Sequence, residues 1–363
     1  MKKSLIKAIG VGTLGFMASQ MTLADTIDPA SFTASLEVGE SVTITKTVTV
    51  AESTSTAILD VMFLIDTSGS MGAEIDAAKA AAADILTGLA GFGDVASGVG
   101  YYSEPGSEGV LHDLTTDITT GVADIGSIYL GLGGYGGDFP EEGIHAVEEA
   151  AEDASWRPGS TRLIIALGDA TFKESDGSTL AGAKSALDDS GATFIGIDFG
   201  NMTQDSWGGI SAAVLSDYTG GSIVESSGLS TEDLVDDIMD GVTAALAEYV
   251  EVTVDDLGTA APGVSVSVAC TSADTGYCDG AVAKGSFDRS VERTFTYDVT
   301  FTGEEVGTHA FTVDALVDGG VVATEVDTIT VSDSVSVPEP GTLSLLGLGL
   351  LGLASTRRFA RKA

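Results

Sequence analysis

The sequence predicts an α/β domain with a doubly wound, mostly parallel sheet, inserted into a small antiparallel β-sandwich. Buried-strand patterns alternate with helical patterns across residues 57–248, which is typical of a doubly wound fold. Alternating apolar and polar residues, which indicate half-buried antiparallel strands, precede this stretch in residues 25–56 and follow it in residues 249–334. We therefore expect both flanks to contribute strands to one sandwich.

The first flank alternates from Ser31 to Val50. Val42, Ile44, Val48 and Val50 fall on one face, and threonines occupy the other. This pattern predicts a strand with one buried face. The second flank repeats it in three stripes: Val264, Val266 and Val268; Phe295, Tyr297, Val299 and Phe301; and Phe311, Val313, Ala315 and Val317.

Between the flanks the sequence predicts strands and helices in turn. The apolar run from Ala57 to Ile65 is typical of a strand buried on both faces. Further strands are predicted at 95–102, 162–167 and 192–197, and helices at 73–89, 141–154 and 179–189. A last helix begins with Ser230 as its N-cap and Asp233 three residues later. Its predicted apolar stripe comprises Leu234, Ile238, Val242, Ala245 and Tyr249.

The charge balance argues against nucleic acid as a partner. The chain has 54 acidic and 16 basic residues and a net charge of −38, and seven of the basic residues lie in the terminal segments. Binding to phosphates needs clustered Lys and Arg, which the acidic body does not offer. The acidity agrees with divalent cations, with a saline habitat or with solubility alone.

Both ends of the chain have the composition of targeting segments. Residues 1–24 combine a basic start, an apolar stretch and the small-residue site Thr22-Leu23-Ala24, which is the order of a secretory signal peptide. A short amphipathic helix is the alternative. Residues 337–363 contain Val337-Pro338-Glu339-Pro340, an apolar stretch and a basic tail. The apolar stretch is marginal for a transmembrane span, which needs about 20 residues.

At these residues the C-terminal segment resembles the PEP-CTERM sorting signal of Gram-negative bacteria. The resemblance implies transient anchoring in the inner membrane, processing by an exosortase-type enzyme, and a final place at the cell surface or outside the cell. An ordinary tail anchor is the alternative. In an exported chain the two cysteines, Cys270 and Cys278, favour a disulfide over two free thiols.

Acidic and hydroxyl side chains follow the predicted strands. Asp66-Thr67-Ser68-Gly69-Ser70 comes directly after the first buried strand, and Asp169 follows a later one. Asp138 and Glu141 lie on a Gly/Pro loop before a helix. Ligands bind at the carboxyl ends of the strands in open parallel sheets, and hard oxygen donors suit Mg²⁺, Ca²⁺ or Mn²⁺. The sequence therefore predicts a divalent-cation site at this edge.

The run Asp66-Thr67-Ser68-Gly69-Ser70 matches the Asp-x-Ser-x-Ser motif of von Willebrand factor A (vWA) domains, and the chain from about Ala57 to Leu246 resembles one such domain. The resemblance implies a metal-ion-dependent adhesion site whose first loop supplies Asp66, Ser68 and Ser70. Asp169 matches the carboxylate after the fourth strand, which usually holds a metal-bound water. Since hydroxyl ligands are neutral, the metal would keep a position for a partner's carboxylate.

The middle loop, Asp138-Phe139-Pro140-Glu141, is more similar to that of integrin β subunits. This implies that Glu141 faces the adhesion-site metal and that Asp138 serves a neighbouring cation. Gly136 stands where those integrins have an Asn ligand, and of the acidic pair of a third site only Glu74 is present. The alternatives are a helix cap for the first loop, a surface turn for Asp169, a first-turn helix acid for Glu141 and a loop carboxylate for Asp138.

These features lead to a surface or extracellular adhesion protein that binds a protein or matrix ligand through a divalent cation. A structural matrix protein with a purely structural metal is the alternative, and a glycan-acting enzyme is a third class. Gly131-Leu132-Gly133-Gly134-Tyr135-Gly136 fits a nucleotide-binding pattern, but carboxylates follow it, so we interpret it as a flexible loop.

Overall fold

The structure, a computed structural model, describes residues 25–52, 56, 58–104, 108–136, 139–204 and 208–333. The predicted signal peptide and sorting segment lie outside these residues. The strands are β1 (Thr26–Asp28), β2 (Thr33–Glu37), β3 (Ser41–Val50), β4 (Ile58–Asp66), β5 (Asp94–Tyr102), β6 (Glu108–Thr115), β7 (Thr161–Gly168), β8 (Ala192–Asp198), β9 (Ile223–Glu225), β10 (Glu248–Asp255), β11 (Val264–Ser272), β12 (Tyr277–Asp279), β13 (Val282–Asp288), β14 (Arg293–Gly303), β15 (Gly307–Val317) and β16 (Gly320–Ser332). The helices are α1 (Gly72–Leu89), α2 (Ile118–Ser127), α3 (Gly143–Asp153), α4 (Leu180–Ser190), α5 (Ala213–Thr219) and α6 (Thr231–Ala245).

The described residues form two compact units. One contains Thr49–Val250 and Ser286–Thr294, and the other contains Ile27–Val48, Glu251–Gly285 and the chain from Phe295 onward. In the first unit a six-stranded sheet has the order β6-β5-β4-β7-β8-β9. Its pairs are parallel except for β5 with β6. The predicted doubly wound, mostly parallel sheet is therefore confirmed.

Strand β4 lies in the middle of this sheet because its side chains are apolar on both faces. Val61, Phe63 and Ile65 pack into a cluster with residues of α1 and α6. Met62 and Leu64 pack on the other face with residues of α3 and α4. Each such side chain stabilises the fold by about 1.5–3 kcal/mol when fully buried, so this strand is a rigid base for the loop that follows it.

Helix α6 begins as the sequence predicts. Asp233 N–H donates to Ser230 Oγ at 3.1 Å, and Ser230 N–H donates to Asp233 Oδ2 at 3.3 Å, which completes a capping box. The predicted apolar stripe is right for Leu234, Ile238 and Val242, which are buried. It is wrong for Tyr249, because the helix ends at Ala245 and Tyr249 lies in β10.

We expect Ser230→Ala to lower the stability of the protein by about 1 kcal/mol, because it leaves the Asp233 N–H without its cap. The melting temperature should fall by roughly 2–4 °C in a thermal melt. Ser230→Asp is the matched control, since a carboxylate at the N-cap accepts the same hydrogen bond and suits the positive end of the helix. Equal melting temperatures for the alanine and aspartate variants would contradict a capping role.

The second unit contains two sheets, with the strand orders β1-β3-β14-β11 and β12-β13-β10-β15-β16-β2. Residues before and after the α/β region contribute to both. The sheets face each other: the rings of Phe301 and Phe311 lie 5.7 Å apart, and Tyr297 Oη donates to the Val252 carbonyl at 2.6 Å. This arrangement confirms the sandwich.

The sandwich differs from the expectation in one pair of strands. Strands β16 and β2 pair in parallel, with Val331 opposite Leu36, so the second sheet is mixed. The alternation of apolar residues reports only which face is buried, and it is the same for either strand direction.

Cys270 and Cys278 form a disulfide with their Cα atoms 5.4 Å apart, and the described residues contain no free cysteine.

Candidate functional site

The predicted site residues from two strands meet at one edge of the parallel sheet. Strand β4 ends at Asp66, and the adjacent parallel strand β7 ends at Gly168, directly before Asp169. A Cβ atom at Gly168 would overlap the hydroxyl of Tyr102, so a glycine is needed where the strand ends pack closely. Asp66 and Asp169 thus lie on neighbouring strand ends, as the parallel topology requires.

The loop after β4 turns its polar groups in two directions. Ser68 N–H donates to Asp66 Oδ1 at 2.8 Å, and the hydroxyls of Ser68 and Ser70 lie 3.2 Å apart. Ser70 also hydrogen bonds to the carboxylate of Asp169. The fully buried Thr67 instead donates its hydroxyl hydrogen to the carbonyl of Leu132. Asp66, Ser68, Ser70 and Asp169 therefore form one connected set of oxygen donors.

Glu141 comes to the same place from the middle loop. Its N–H donates to the Thr171 carbonyl at 3.0 Å, and its own carbonyl accepts from Lys173 N–H at 2.7 Å, so its backbone is held against the segment that follows Asp169. Only 2% of its surface is exposed. It precedes α3, whose N-cap is Glu142, so Glu141 is outside the helix rather than in its first turn.

Three carboxylate oxygens in this set are buried and have no hydrogen-bond partner among the described residues. They are Asp66 Oδ2, Glu141 Oε2 and Asp169 Oδ1. An unpartnered buried carboxylate oxygen is costly, because it loses its hydration without replacement. The donor set thus fits a group with positive charge and an affinity for oxygen.

The pKa values of these carboxyl groups agree with their burial and their missing hydrogen-bond partners. Burial raises the pKa of Asp66 to about 7, and the carboxylate of Asp169 raises it further, while the Ser68 N–H opposes the rise. Burial also raises the pKa of Glu141 to about 8, and repulsion from Asp66 raises it further. Lys173 opposes the rise, and Glu104 and Asp169 add smaller increases. The pKa of Asp169 is raised by burial as well. Burial and mutual repulsion thus shift the pKa values of all three carboxyl groups upward.

A cavity of about 240 Å³ opens beside these groups and is lined by Ser68, Gly69, Ser70, Tyr135, Gly136, Phe139 and Glu141. The rings at its rim, Tyr135 and Phe139, are 68% and 40% exposed.

The segment Gly131–Gly136, expected as a flexible loop, is hydrogen bonded to its surroundings. Gly131 N–H donates to the Thr67 carbonyl, and Gly69 N–H donates to the Tyr135 carbonyl at 2.7 Å. These bonds hold the rim against the first loop.

Three further acidic residues bear on this site. Asp138 lies outside the described residues. Glu74 approaches Asp169 closely enough to raise the pKa of Asp169, and Glu74 Oε2 is buried without a hydrogen-bond partner in the described structure.

Sequence reasoning missed Asp198, which ends β8 and is 2% exposed. Its position after an apolar run, like that of Asp66, was the available signal.

The described residues contain no group of three or more His, Cys, Asp or Glu side chains arranged to hold a metal ion. The oxygens that come together here are those of the Ser68 and Ser70 hydroxyls as well as those of carboxylates. Neutral hydroxyl ligands leave more of the charge of the ion available to an outside group. Hydroxyl and carboxylate oxygens suit Mg²⁺, Ca²⁺ and Mn²⁺.

Comparison with known families shows which family the chain belongs to. A model of the integrin beta-like protein A–E, vWA-like family matches residues 27–282. The chain belongs to this family. The PEP-CTERM protein-sorting motif matches residues 336–358, so this vWA-like protein is exported to the cell surface and carries the signal that exosortase-type enzymes process. Domains of the vWA type are mostly adhesion or binding modules without enzymatic activity.

Solved structures similar to this vWA-like protein include the following three. A von Willebrand factor type A protein from Catenulispora acidiphila is 14% identical, with 86% of this chain and 74% of that chain covered and a TM-score of 0.38. Proximal thread matrix protein 1 from the mussel byssus is 16% identical, with 57% and 48% covered and a TM-score of 0.36. The pilus adhesin SpaC from Lactobacillus rhamnosus GG is 13% identical, with 80% and 45% covered and a TM-score of 0.35.

The chain thus spans about half the length of the last two. A search of curated proteins finds no match to this chain. Among the residues that the structure describes, no helix is long and apolar enough to cross a membrane; the apolar stretch near the C-terminus lies outside them.

Proposed function

We propose that this exported vWA-like protein is an adhesion module that binds a divalent cation, Mg²⁺ or alternatively Ca²⁺ or Mn²⁺, and through it an acidic group of an extracellular partner. The observation that carries the proposal is the set of three buried, unpartnered oxygens of Asp66, Glu141 and Asp169 beside an open cavity. A bound cation would supply Lewis acidity toward a carboxylate of the partner.

The residues of the site have separate tasks in this proposal. Ser68 and Ser70 would hold the cation directly, and Asp66 would fix the loop through the Ser68 N–H while offering its free oxygen. Asp169 would orient Ser70 by accepting its hydrogen bond. Glu141, beside the cavity, offers the oxygen that competes most directly with an incoming carboxylate.

The rim of the cavity suits a protein or matrix ligand. The exposed rings of Tyr135 and Phe139 are apolar surfaces beside the polar floor, and aromatic side chains are enriched at protein interfaces. We therefore propose that this rim contacts the partner.

Binding to extracellular components should require the cation. We expect the protein, immobilised on a sensor surface, to capture acidic matrix polymer or surface protein extracts in Mg²⁺ or Ca²⁺, and capture to fall at least about tenfold in EDTA, since a lost interaction of about 1.4 kcal/mol already has that effect. Asp66→Ala should behave in Mg²⁺ as the wild type does in EDTA. Asp153→Asn, at an exposed position at the end of α3, is the matched control.

Each alternative gives a different result in the same assay. Capture that is unchanged both by EDTA and by Asp66→Ala would overturn the adhesion mechanism. No capture of any component, combined with a metal-dependent rise in melting temperature, would favour a purely structural metal. Release of shortened glycans from the immobilised material would favour an enzyme.

A further inference from the structure

A lysine lies in the interior of the sandwich. Lys46 is in β3, on the face that the alternating pattern assigns to valines, and it has no exposed surface. Its Nζ atom contacts Glu325 Oε1 and lies 3.0 Å from Asp327 Oδ2. Both acids belong to β16, two residues apart and so on one face of that strand. They are buried as completely as the lysine.

The surroundings of these three groups are apolar. The Phe301 ring centroid lies 5.7 Å from Lys46 Nζ. Phe32 stacks on Phe301 at 5.8 Å, and Phe311 packs against it at 5.7 Å. These rings exclude water from the amine and from the carboxyl groups. An interaction in such a setting is much less screened than one at the surface.

The charges do not balance if all three groups are ionised, because two carboxylates would face one ammonium group. A buried unpaired charge is strongly unfavourable, so one carboxyl must be protonated. Asp327 has two donors, since its Oδ1 accepts from Phe32 N–H at 2.7 Å and its Oδ2 accepts from Lys46. Glu325 has no hydrogen-bond partner in the described structure beyond its contact with Lys46. Asp327 thus has the hydrogen-bond donors that stabilise a carboxylate, and Glu325 lacks them.

We propose that Lys46 and Glu325 become joined by an intramolecular amide bond across the two sheets of the sandwich, with Asp327 as the proton acceptor. The Lys46 ammonium group first passes a proton to the Asp327 carboxylate. The resulting amine attacks Glu325 Cδ, and a bond forms between Nζ and Cδ. The Cδ–OH bond then breaks, and the hydroxyl leaves with a proton from the nitrogen as one water molecule.

Atoms and charge balance in this step without an oxidant or a cofactor. Of the four hydrogens on the ammonium and carboxyl groups, one stays on the amide, two leave in the water and one remains on Asp327. The product has a neutral Asp327, whose proton can be donated to the new amide carbonyl. An ion pair with an extra buried acid is thereby replaced by a neutral, hydrogen-bonded group.

The geometry favours the reaction for two reasons. The amine and the carboxyl group are held in contact by two packed sheets, and well-oriented intramolecular reactions reach effective molarities of about 10⁵–10⁸ M. Burial lowers the pKa of Lys46, which raises the fraction of reactive amine. Asp327 accepts the proton at a distance of 3.0 Å, within the range required of a general base.

The cross-link would join the strand before the α/β region to a strand after it. Residues 47–324 would then form a covalently closed loop, and tension applied to the two flanks would pass through the cross-link rather than through that loop. This would suit a surface protein under mechanical load. The proposal does not depend on the metal site, since none of its groups belongs to that site.

Mass spectrometry tests the proposal on the purified full chain as it is exported, with its termini determined by sequencing. We expect an intact mass lower by one water than the sequence requires, beyond the hydrogens lost to the disulfide. Proteolytic mapping should recover a branched peptide that joins Lys46 to Glu325. Lys46→Arg and Asp327→Asn should both restore the unmodified mass. Lys284→Arg, at a partly exposed lysine that pairs with Glu251, should keep the loss of water.

Proteolytic mapping of the wild-type protein tests for the Lys46–Glu325 bond even if the variants fail to fold. Separate linear peptides containing Lys46 and Glu325, from folded protein with the unmodified mass, would overturn the proposal. A branched peptide joining Lys46 to Asp327 would overturn the assignment of Glu325 as the reacting acid. Loss of water that persists in Asp327→Asn would overturn the role of Asp327 as the proton acceptor.

Discussion

Saturating Mg²⁺ or Ca²⁺ is expected to raise the melting temperature of the wild-type protein by roughly 5–10 °C over its value in EDTA, and Asp66→Asn is expected to abolish this rise. A ligand at about 100 times its dissociation constant stabilises the folded state by about 2.7 kcal/mol. In a domain of this size about 1 kcal/mol corresponds to about 2–4 °C. Differential scanning fluorimetry measures the change directly.

Asp66 is the right position for this test because its carboxylate has no exposed surface and shapes the loop through the Ser68 N–H. Asparagine keeps the size of the side chain and one oxygen but removes the charge. Asp153→Asn, at the exposed end of α3, should retain the full metal-dependent rise. A rise of equal size in Asp66→Asn would place the cation elsewhere in the protein.

In EDTA the wild-type protein is expected to lose stability as the pH rises from about 4 to about 8, and Asp66→Asn is expected to be the more stable protein at pH 8. The pKa of Asp66 is raised to about 7 and that of Glu141 to about 8, both mainly by burial. A carboxyl group with a raised pKa in the folded state contributes stability below its ordinary pKa. That contribution is lost as the pH rises through the folded-state pKa.

The size of the effect follows from the buried Asp66. One pKa unit corresponds to about 1.4 kcal/mol, so a shift of about three units sets a ceiling of about 4 kcal/mol at pH 8. We expect on the order of half of this, or roughly 4–8 °C in melting temperature. At pH values below about 3.8, the ordinary pKa of Asp66, its carboxyl group is protonated in both the folded and the unfolded protein, so Asp66→Asn and the wild type should differ little.

The effect of Asp66→Asn on the stability of the protein should change sign between EDTA at pH 8 and saturating Mg²⁺. The same Asp66→Asn substitution should stabilise the protein in EDTA at pH 8 and make it less stable than the wild type in saturating Mg²⁺. A group with only a packing role would change stability in the same direction in both buffers. Thermal melts over a pH series, in matched ionic strength with EDTA or Mg²⁺, measure this; destabilisation in EDTA at pH 8 would contradict the role of Asp66.

Much of the α/β fold could be predicted because its signals are local. The run from Ala57 to Ile65 is apolar on both faces, and the observed strand β4 begins and ends within one residue of it. The start of helix α6 is predicted by the capping residues Ser230 and Asp233. Helix α2, by contrast, was missed: Gly121 and Ile125 are its only buried residues, so it buries little apolar surface.

The sandwich was predictable in outline but not in its pairing. Alternation along β14 and β15 shows which side chains are buried, and those positions are buried in the structure. It does not show which strands are neighbours, so the parallel pair of β16 and β2 was missed. The same limit hid Lys46, whose place among valines gave no sign of the two acids that come to it from 279 and 281 residues further along the chain.

The sequence by itself determined the fold class, the C-terminal sorting signal and the oxygen-rich loop at Asp66, because each depends on short-range patterns of side chains. Only the tertiary structure decided which oxygens of Asp66, Glu141 and Asp169 are left without partners, and that Lys46 meets Glu325. Both depend on burial and on contacts between distant segments. Burial controls whether a charged group is hydrated, paired or protonated, and no local pattern reports it.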